Sequence, residues 1–416
     1  MAKQILIVGA GPAGLMAAIS AAEKAAELQE EVGITVIDKN DAPGKKLNIT
    51  GKGRCNLTND CTLDEFLSNV PVNPRFLYSA LSKFLPADTK AFFELHGVPV
   101  KVERGRRVFP VSDRAKDVTN CLVKTARSLG VRFLQGKAVA LESDDGVVTG
   151  LQVETEKGKQ TLPCYSLILA CGGASYPLTG STGDGYALAA MAGHSLTEPK
   201  PSLVPLVSPD RFCVSCMGLS LKNVGLTFEK DGKTLYEEQG EMLFTHFGVT
   251  GPVILSASAH LRKGYPVNLH IDMKPALDEK TLDARLLRDF SENSNRDLRN
   301  CMNGLLPAKM IDPFLKRIRL DGAAKVNAVT KEMRETLLRS LKDICIPLSG
   351  TRPIAEAIVT SGGIPVKEID PSTMRSKKAD GLFFAGEIID VDAYTGGYNL
   401  QIAFATGHSA GENAVL

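Results

Sequence analysis

From Lys3 to Val8 the chain turns apolar without alternating, Ile5-Leu6-Ile7-Val8, and runs directly into Gly9-Ala10-Gly11-Pro12-Ala13-Gly14. An Ala-rich helical pattern follows from Leu15 to Glu31. A strand buried on both faces reads this way, so the spacing predicts strand, glycine turn and helix. A second strand, Gly33-Ile34-Thr35-Val36-Ile37, ends at Asp38. Residues 74 to 96 read as helices and Asp113 to Leu129 as another. From Val131 the period shortens to a three-stranded meander, Arg132 to Leu141, Val147 to Glu154 and Gln160 to Leu169, with turn residues between. Its last strand is fully apolar and ends in Gly172-Gly173, which predicts return to the first sheet. Thr182 to Ala190 opens a helix after a glycine loop. Residues 199–273 are strand-like, 275–341 helical with breaks near Pro307 and Gly322, and 346–358 strand-bearing. Gly381 to Glu387 predicts a strand ending at glycine and acid, and an apolar helix follows Gly396-Gly397 through Thr406.

The opening turn carries chemistry. Three glycines allow a sharp turn, close approach to a pyrophosphate and tight packing of helix on strand, while the helix N-terminus offers free N–H groups and a positive dipole end. Asp38 lies 24 residues past Gly14, placed to accept hydrogen bonds from a ribose hydroxyl pair. The turn predicts a dinucleotide but leaves NAD and FAD open. After Asp38, the stretch from Ala42 to Asn59 holds four cations among glycines and asparagines, too irregular for a regular element and suited to a phosphate-bearing ligand.

The length of 416 residues and 44% hydrophobic content allow two to three domains with substantial cores. Forty-nine basic against 47 acidic residues, net +2, remove any global field that demands nucleic acid or membrane, though Lys101 to Pro110 is locally basic. No apolar run reaches membrane-spanning length, so the cytoplasm is the expected location. Nine scattered cysteines fit a reducing compartment. Cys213-Val214-Ser215-Cys216 has no second pair or nearby histidine, so no metal is expected.

Paired with the N-terminal turn, the distant Gly386-Glu387 and Gly396-Gly397-Tyr398-Asn399-Leu400 segment shifts the reading to FAD. Glu387 would reach a ribityl hydroxyl, and the following helix start would aim N–H groups at the N1–O2 edge of a reduced flavin. The segments GAGPAGLMAA, GKKLNITGKGRCNLTN, RRVFPVSDRAKDV, LILACGGASYPLTGSTGDGYALA, FTHFGVTGP and GLFFAGEIIDVDAYTGGYNLQIAFATG together resemble the glutathione-reductase-like FAD proteins. Within them they resemble a bacterial family with aminoacetone-oxidase-like and ribosomal-RNA dihydrouridine synthase members. The resemblance implies an α/β fold: a discontinuous Rossmann-like FAD domain (1–198 and 362–416), an inserted β-barrel (199–274 and 344–361) and a nested helical domain (275–343). It places Gly9, Gly11, Pro12, Ala13, Gly14, Asp38 and Lys39 on the ADP half, with Val139 offering backbone to the adenine. Lys46, Gly51, Gly53, Arg54 and Gly172 would lie along the cofactor, Glu387 at the ribityl chain, and Gly397, Tyr398, Asn399 and Leu400 by the isoalloxazine. No second GxGxxG follows a strand between Gly185 and Gly381, so NAD(P)H would visit the flavin only transiently.

Three functions compete. The first reduces a uridine of ribosomal RNA to dihydrouridine, with Cys55 as proton donor for C5, Asn399 also catalytic, and Lys52, Arg54, Arg104, Arg106, Arg107 and Arg114 gripping phosphates. The second oxidises a small amine with oxygen, using Tyr398 or Asp392 to hold the amine. The third is a flavin-loaded RNA-binding or assembly factor without turnover. No oligomeric state is assigned.

Overall fold

The computed structural model of the protein describes residues 3–261 and 264–416. It divides into two compact units, Met1–Ser202 with Ile354–Leu416, and Leu203–Pro353.

The first unit is built on five parallel strands in the order Leu382–Phe384, Ser166–Leu169, β1 (Lys3–Val8), β2 (Val32–Asp38), Arg132–Gln135. Helices cover this sheet, so its apolar runs do not alternate: Ile5, Ile7, Leu167 and Phe384 are all sealed from solvent. Helix α1 (Pro12–Leu28) starts at Gly11, and small residues let it dock closely on the helix Tyr398–Val415. A Cβ on Gly407 or Gly411 would lie 2.3 Å from the Ala13 carbonyl oxygen or 2.2 Å from that of Ala17, so neither position admits a side chain.

The predicted meander is divided differently. The chain leaves the parallel sheet at Gly136, whose N–H donates to the Asp38 carbonyl, and re-enters after Cys164, where Tyr165 N–H donates to the Gln4 carbonyl. Between these points Lys137–Asp144, Val147–Thr155 and Gly158–Pro163 form their own antiparallel sheet. The stretch 42–59, expected to be irregular, holds a short helix α2 (Lys45–Ile49). Gly44 fixes its start in the left-handed region (φ 71°), donating to the Ala10 carbonyl, and Asn48 accepts a 2.8 Å hydrogen bond from Thr119.

The second unit carries a seven-stranded antiparallel sheet whose outermost strands, Ile344–Leu348 and Gly350–Thr351, are consecutive pieces of one run, so the sheet curls back on itself. The helices Glu279–Glu292, Ala308–Arg317 and Lys331–Lys342 share its core, packing Leu286, Phe314 and Leu341 into one cluster with Phe228, Phe244 and Ile271. Among the described residues no helix is long and apolar enough to cross a membrane.

A buried polar cluster ties the 366–379 segment into the first unit. His194 Nδ1 lies 3.0 Å from Glu368 and Nε2 2.7 Å from Ser376 Oγ, while Glu368 also accepts from Ser195 N–H, Ser195 Oγ and Lys378. A carboxylate only accepts, so Nδ1 carries the proton and Nε2 accepts from Ser376. Burial pushes the His194 pKa below 6.5. Burial alone would raise Glu368, but its donors outweigh it and hold the carboxyl at about 2. Both groups bind protons more weakly folded than unfolded. Stability is therefore full above pH 6.5, falls as His194 resists protonation below it, and falls again from about pH 4.5 toward 2. The melting temperature is expected to drop steadily over this window, and Glu368→Gln should flatten its lower part; a slope unchanged in that variant would remove Glu368 as the cause.

Candidate functional site

A cavity of about 870 Å³ opens at the C-terminal ends of the parallel strands, where ligands of open α/β sheets bind. One end is formed by the β1–α1 turn, and its three glycines do three different things. Gly9 has φ 109°, and a Cβ there would meet the Ala170 carbonyl oxygen at 2.4 Å. Gly14 has no room at all, since its Cβ would lie 1.9 Å from the Gly9 oxygen. Gly11 is the opposite case: nothing stands within 4 Å of its missing Cβ, and it lines the cavity. That space is a cradle a side chain would fill and a diphosphate fits. Helix α1 begins there with neither a side-chain cap nor an acid in its first turn, so its free N–H groups face the cavity uncompensated.

Asp38 stands beside this turn, its Oδ2 accepting from Ala10 N–H at 2.6 Å and Oδ1 from Asn40 N–H at 2.8 Å. These bonds aim the carboxylate and leave lone pairs for a ribose. Lys39 is held by Asp184 at 2.6 Å and Thr182 at 2.5 Å, joining β2 to the glycine loop across the cavity. Val139 lies off the wall, although its neighbours Lys137 and Ala138 are on it. The ladder shifts register between Ala138 and Ala140, so Val139 sits in a β-bulge outside the regular pairing.

The middle of the cavity is governed by Lys46 and Glu387. Lys46 Nζ donates to Glu387 Oε2 at 2.5 Å and to Ser175 Oγ at 2.7 Å; Glu387 Oε1 accepts from Ser175 Oγ at 3.0 Å and Thr360 N–H at 2.8 Å. Desolvation alone would raise the Glu387 pKa, but the Lys46 charge and these donors bring it below the usual carboxylate value. A carboxylate has about four acceptor sites, so one remains for a ligand hydroxyl. Gly172 and Gly386 flank the pair, both with positive φ.

At the far end, the Tyr398–Val415 helix starts at Gly397, again without a side-chain cap, and Gly397, Asn399 and Leu400 line the cavity. Thr58 backs Gly397 so closely that a Cβ there would come within 2.3 Å of the Thr58 oxygen. The Asn399 amide is occupied: Oδ1 accepts from Ala393 N–H at 3.0 Å and Nδ2 donates to the Ala393 carbonyl at 2.7 Å. It holds the loop before the helix. Tyr398 points elsewhere, packing edge-on against Phe66 with ring centroids 5.1 Å apart, and burial pushes its phenol up to about 12.

Of the other residues expected at the site, Gly51 and Arg54 line the cavity with Pro12 and Ala13, whereas Gly53 does not. Arg54 is fixed between Glu103 (2.5 Å) and Asp113 (2.6 Å) and stacks over Phe109, 4.2 Å from its centroid. Its charge is thereby spent locally, as is that of Arg106 on Glu65. Cys55 is not brought to the cavity. The thiol is fully buried and desolvation pushes it up to about 12, which leaves it a poor proton donor near neutral pH. Sequence reasoning passed over Asn56, Tyr176, Val359 and Tyr394, which do line the cavity. For Asn56 the signal lay in the Cys55-Asn56-Leu57-Thr58-Asn59 text itself; for the others only tertiary packing brings them there.

The HI0933-like protein Rossmann domain model matches residues 3–413. The chain is 30% identical over 417 residues to a 3-dehydro-bile acid delta(4,6)-reductase of Clostridium scindens, covering 99% of each. It is 26% identical over 411 residues to a ribosomal RNA dihydrouridine synthase of Escherichia coli, covering 99% of this chain and 97% of that protein. Its fold is also that of a 3-ketosteroid delta1-dehydrogenase from Sterolibacterium denitrificans, with 13% identity, a TM-score of 0.51 and 99% of both chains covered. A diphosphate cradle at one uncapped helix, a carboxylate with one open acceptor site in the middle and a second uncapped helix at the far end suit FAD along its length, and the chain belongs to the HI0933-like Rossmann family as an FAD-dependent oxidoreductase.

Proposed function

We propose that the protein reduces a carbon–carbon double bond conjugated to a carbonyl, and that its substrate is a uridine of ribosomal RNA, converted to dihydrouridine with electrons from NAD(P)H. The observation that carries the choice of RNA is the pair of exposed cations on the cavity wall, Lys52 and Arg107, neither of which makes an ion pair among the described residues. Arg104 and Arg114 are equally unpaired and exposed nearby in sequence. Cations left without carboxylates are available to backbone phosphates. Bound FAD would supply hydride from its reduced N5 to C6 of the base, and C5 would take its proton from solvent water. The chain's own groups hold and orient the cofactor. Uncapped α1 holds the diphosphate, Lys46 orients Glu387 for the ribityl chain, and the Tyr398–Val415 helix start offers N–H groups to the isoalloxazine edge that gains charge.

The test compares nucleosides of ribosomal RNA from cells with and without this gene by mass. Loss of one dihydrouridine is expected in the deletion strain, and an unchanged level removes the reading. In the purified system Cys55→Ala is expected to keep its rate, because the thiol lies sealed behind the cavity wall.

A second reading rests on the 30% identity to the bile acid reductase, which extends over 99% of both chains. A 3-oxo steroid with ring double bonds presents the same conjugated acceptor as uracil. NADH oxidation stimulated by such a steroid at unchanged ribosomal dihydrouridine would select it.

A further inference from the structure

The strand order Leu382–Phe384, Ser166–Leu169, β1, β2 sets β1 between the strand that leads toward the 176–183 loop and the strand that ends at Asp38. A side chain joining those two segments must cross the C-terminal end of β1, a span of two strand spacings or about 10 Å. Lys39 makes that crossing, its Nζ donating to Asp184 Oδ2 at 2.6 Å and to Thr182 Oγ1 at 2.5 Å. Asn40 adds a second tie, its Nδ2 donating to the Thr179 carbonyl at 3.1 Å. Both segments line the ADP half of the cavity, whose floor of Val8, Ala10 and Ala170 is buried. The Lys39 and Asp184 side chains are 29% and 35% exposed, so the bridge stands on the solvent side of that floor.

The loop depends on these ties. From Tyr176 to Thr182 its backbone bonds close on themselves: Thr179 N–H donates to the Tyr176 carbonyl, Gly180 N–H to that of Pro177 and Thr182 N–H to that of Gly180. Gly183 N–H returns to the Gly173 carbonyl at 3.2 Å and closes the base. Among the described residues, the hydrogen bonds from 176–182 to another segment are those from Lys39 and Asn40. Ser181 is the one buried residue of this stretch, and Leu178 at the tip is 97% exposed and packs into no core. Tyr176 (φ 53°) and Gly183 (φ 81°) turn the chain at either end. The loop is thus a compact piece fastened at its outer side by exposed polar contacts.

We propose that residues 176–183 are a strap across the ADP half of the cavity, clasped by Lys39 and Asn40, and that FAD enters and leaves when the clasp opens. An ion pair this exposed contributes little to stability, so the clasp opens and recloses without unfolding the unit around it. A gate acts on passage in both directions. It slows entry and release by the same factor and leaves affinity where it was, whereas a group that only grips the cofactor slows release alone. The claim concerns cofactor exchange and stands whichever substrate the enzyme reduces.

The experiment follows FAD uptake and release by stopped-flow flavin fluorescence in the stripped and reloaded protein, for wild type, Lys39→Met, Asp184→Ala and the double variant. Association and dissociation rates of Lys39→Met are expected to rise together by about fivefold, the ratio that an exposed ion pair gives at the upper end of its range, with affinity within about twofold of wild type. Asp184→Ala is expected to match it and the double variant to exceed neither, because both changes open one clasp. Added salt is expected to hasten release from the wild-type protein far more than from Lys39→Met, since screening acts on the ion pair. Faster release with unchanged entry would make Lys39 a ligand of the cofactor and overturn the strap. Unchanged rates in both single variants, or wild-type release indifferent to salt, would overturn it as well.

Discussion

Gly11→Ala is expected to leave the unloaded protein folded with its melting temperature within a few degrees of wild type, yet to weaken FAD binding by about 10- to 100-fold. Gly11 has an ordinary extended backbone (φ −82°, ψ −177°), and its Cβ would meet no atom within 4 Å, so the fold does not require glycine there. The methyl would instead occupy the space at the start of α1 through which a diphosphate reaches the free N–H groups; losing about 1.4–2.8 kcal/mol there gives this ratio. Gly14→Ala is the matched control. Its Cβ would fall 1.9 Å from the Gly9 oxygen and 3.3 Å from Ile7 Cγ2, a collision with backbone that only separation of α1 from β1 relieves. That variant is expected to lose fold and cofactor together. Circular dichroism melts and FAD titrations read the two effects apart, and Gly11→Ala with wild-type FAD affinity would take the diphosphate away from this turn.

Lys46→Met is expected to destabilise the unloaded protein by about 3 kcal/mol, because it strands the Glu387 carboxylate in a site that is 20% exposed. Removing one partner of a desolvated pair costs more than removing both. The double variant Lys46→Met with Glu387→Gln is therefore expected to recover most of the loss while still binding FAD poorly, since the amide oxygen is taken by Ser175 Oγ and Thr360 N–H and the amide NH₂ offers the ribityl hydroxyl no acceptor. Denaturant unfolding of the two single variants and the double variant measures the coupling. Strictly additive losses would mean that the 2.5 Å contact carries no net energy.

The parts of the site that could be read from the sequence are those where local backbone and chemistry coincide. Gly9, Gly11 and Gly14 follow one another within a single turn, Gly9 and Gly14 for steric reasons within the fold and Gly11 for the space it leaves to a ligand. Asp38 ends the next strand, and Gly386-Glu387 closes another. Contacts made between distant segments were not legible in the same way. Nothing near Lys46 in sequence announces Ser175 or Glu387, and helix α2, which carries Lys46, is held through Asn48 by the distant Thr119 hydroxyl. Cys55 and Tyr398 show the same gap at finer scale. A run of left-handed residues turns Cys55 inward and its neighbour Asn56 outward to the cavity, and one step of helical phase sends Tyr398 to Phe66 while Leu400 lines the wall. The sheet was legible in its apolar strands but its membership was not, because Gly136 and Cys164-Tyr165 interrupt runs whose hydrophobic pattern continues across them.

The closest helix pairing in the first unit sets Ala13 and Ala17 against Gly407 and Gly411, residues from opposite ends of the described chain. A ribosome delivering about 5–20 residues per second makes α1 on the order of tens of seconds before its partner helix exists. For that interval the small apolar face of α1 has no lid and the middle and far walls of the cavity are missing. Retention of the yellow cofactor therefore reports that synthesis passed Gly411. Nascent chains stalled earlier should stay colourless and be open to proteolysis along α1.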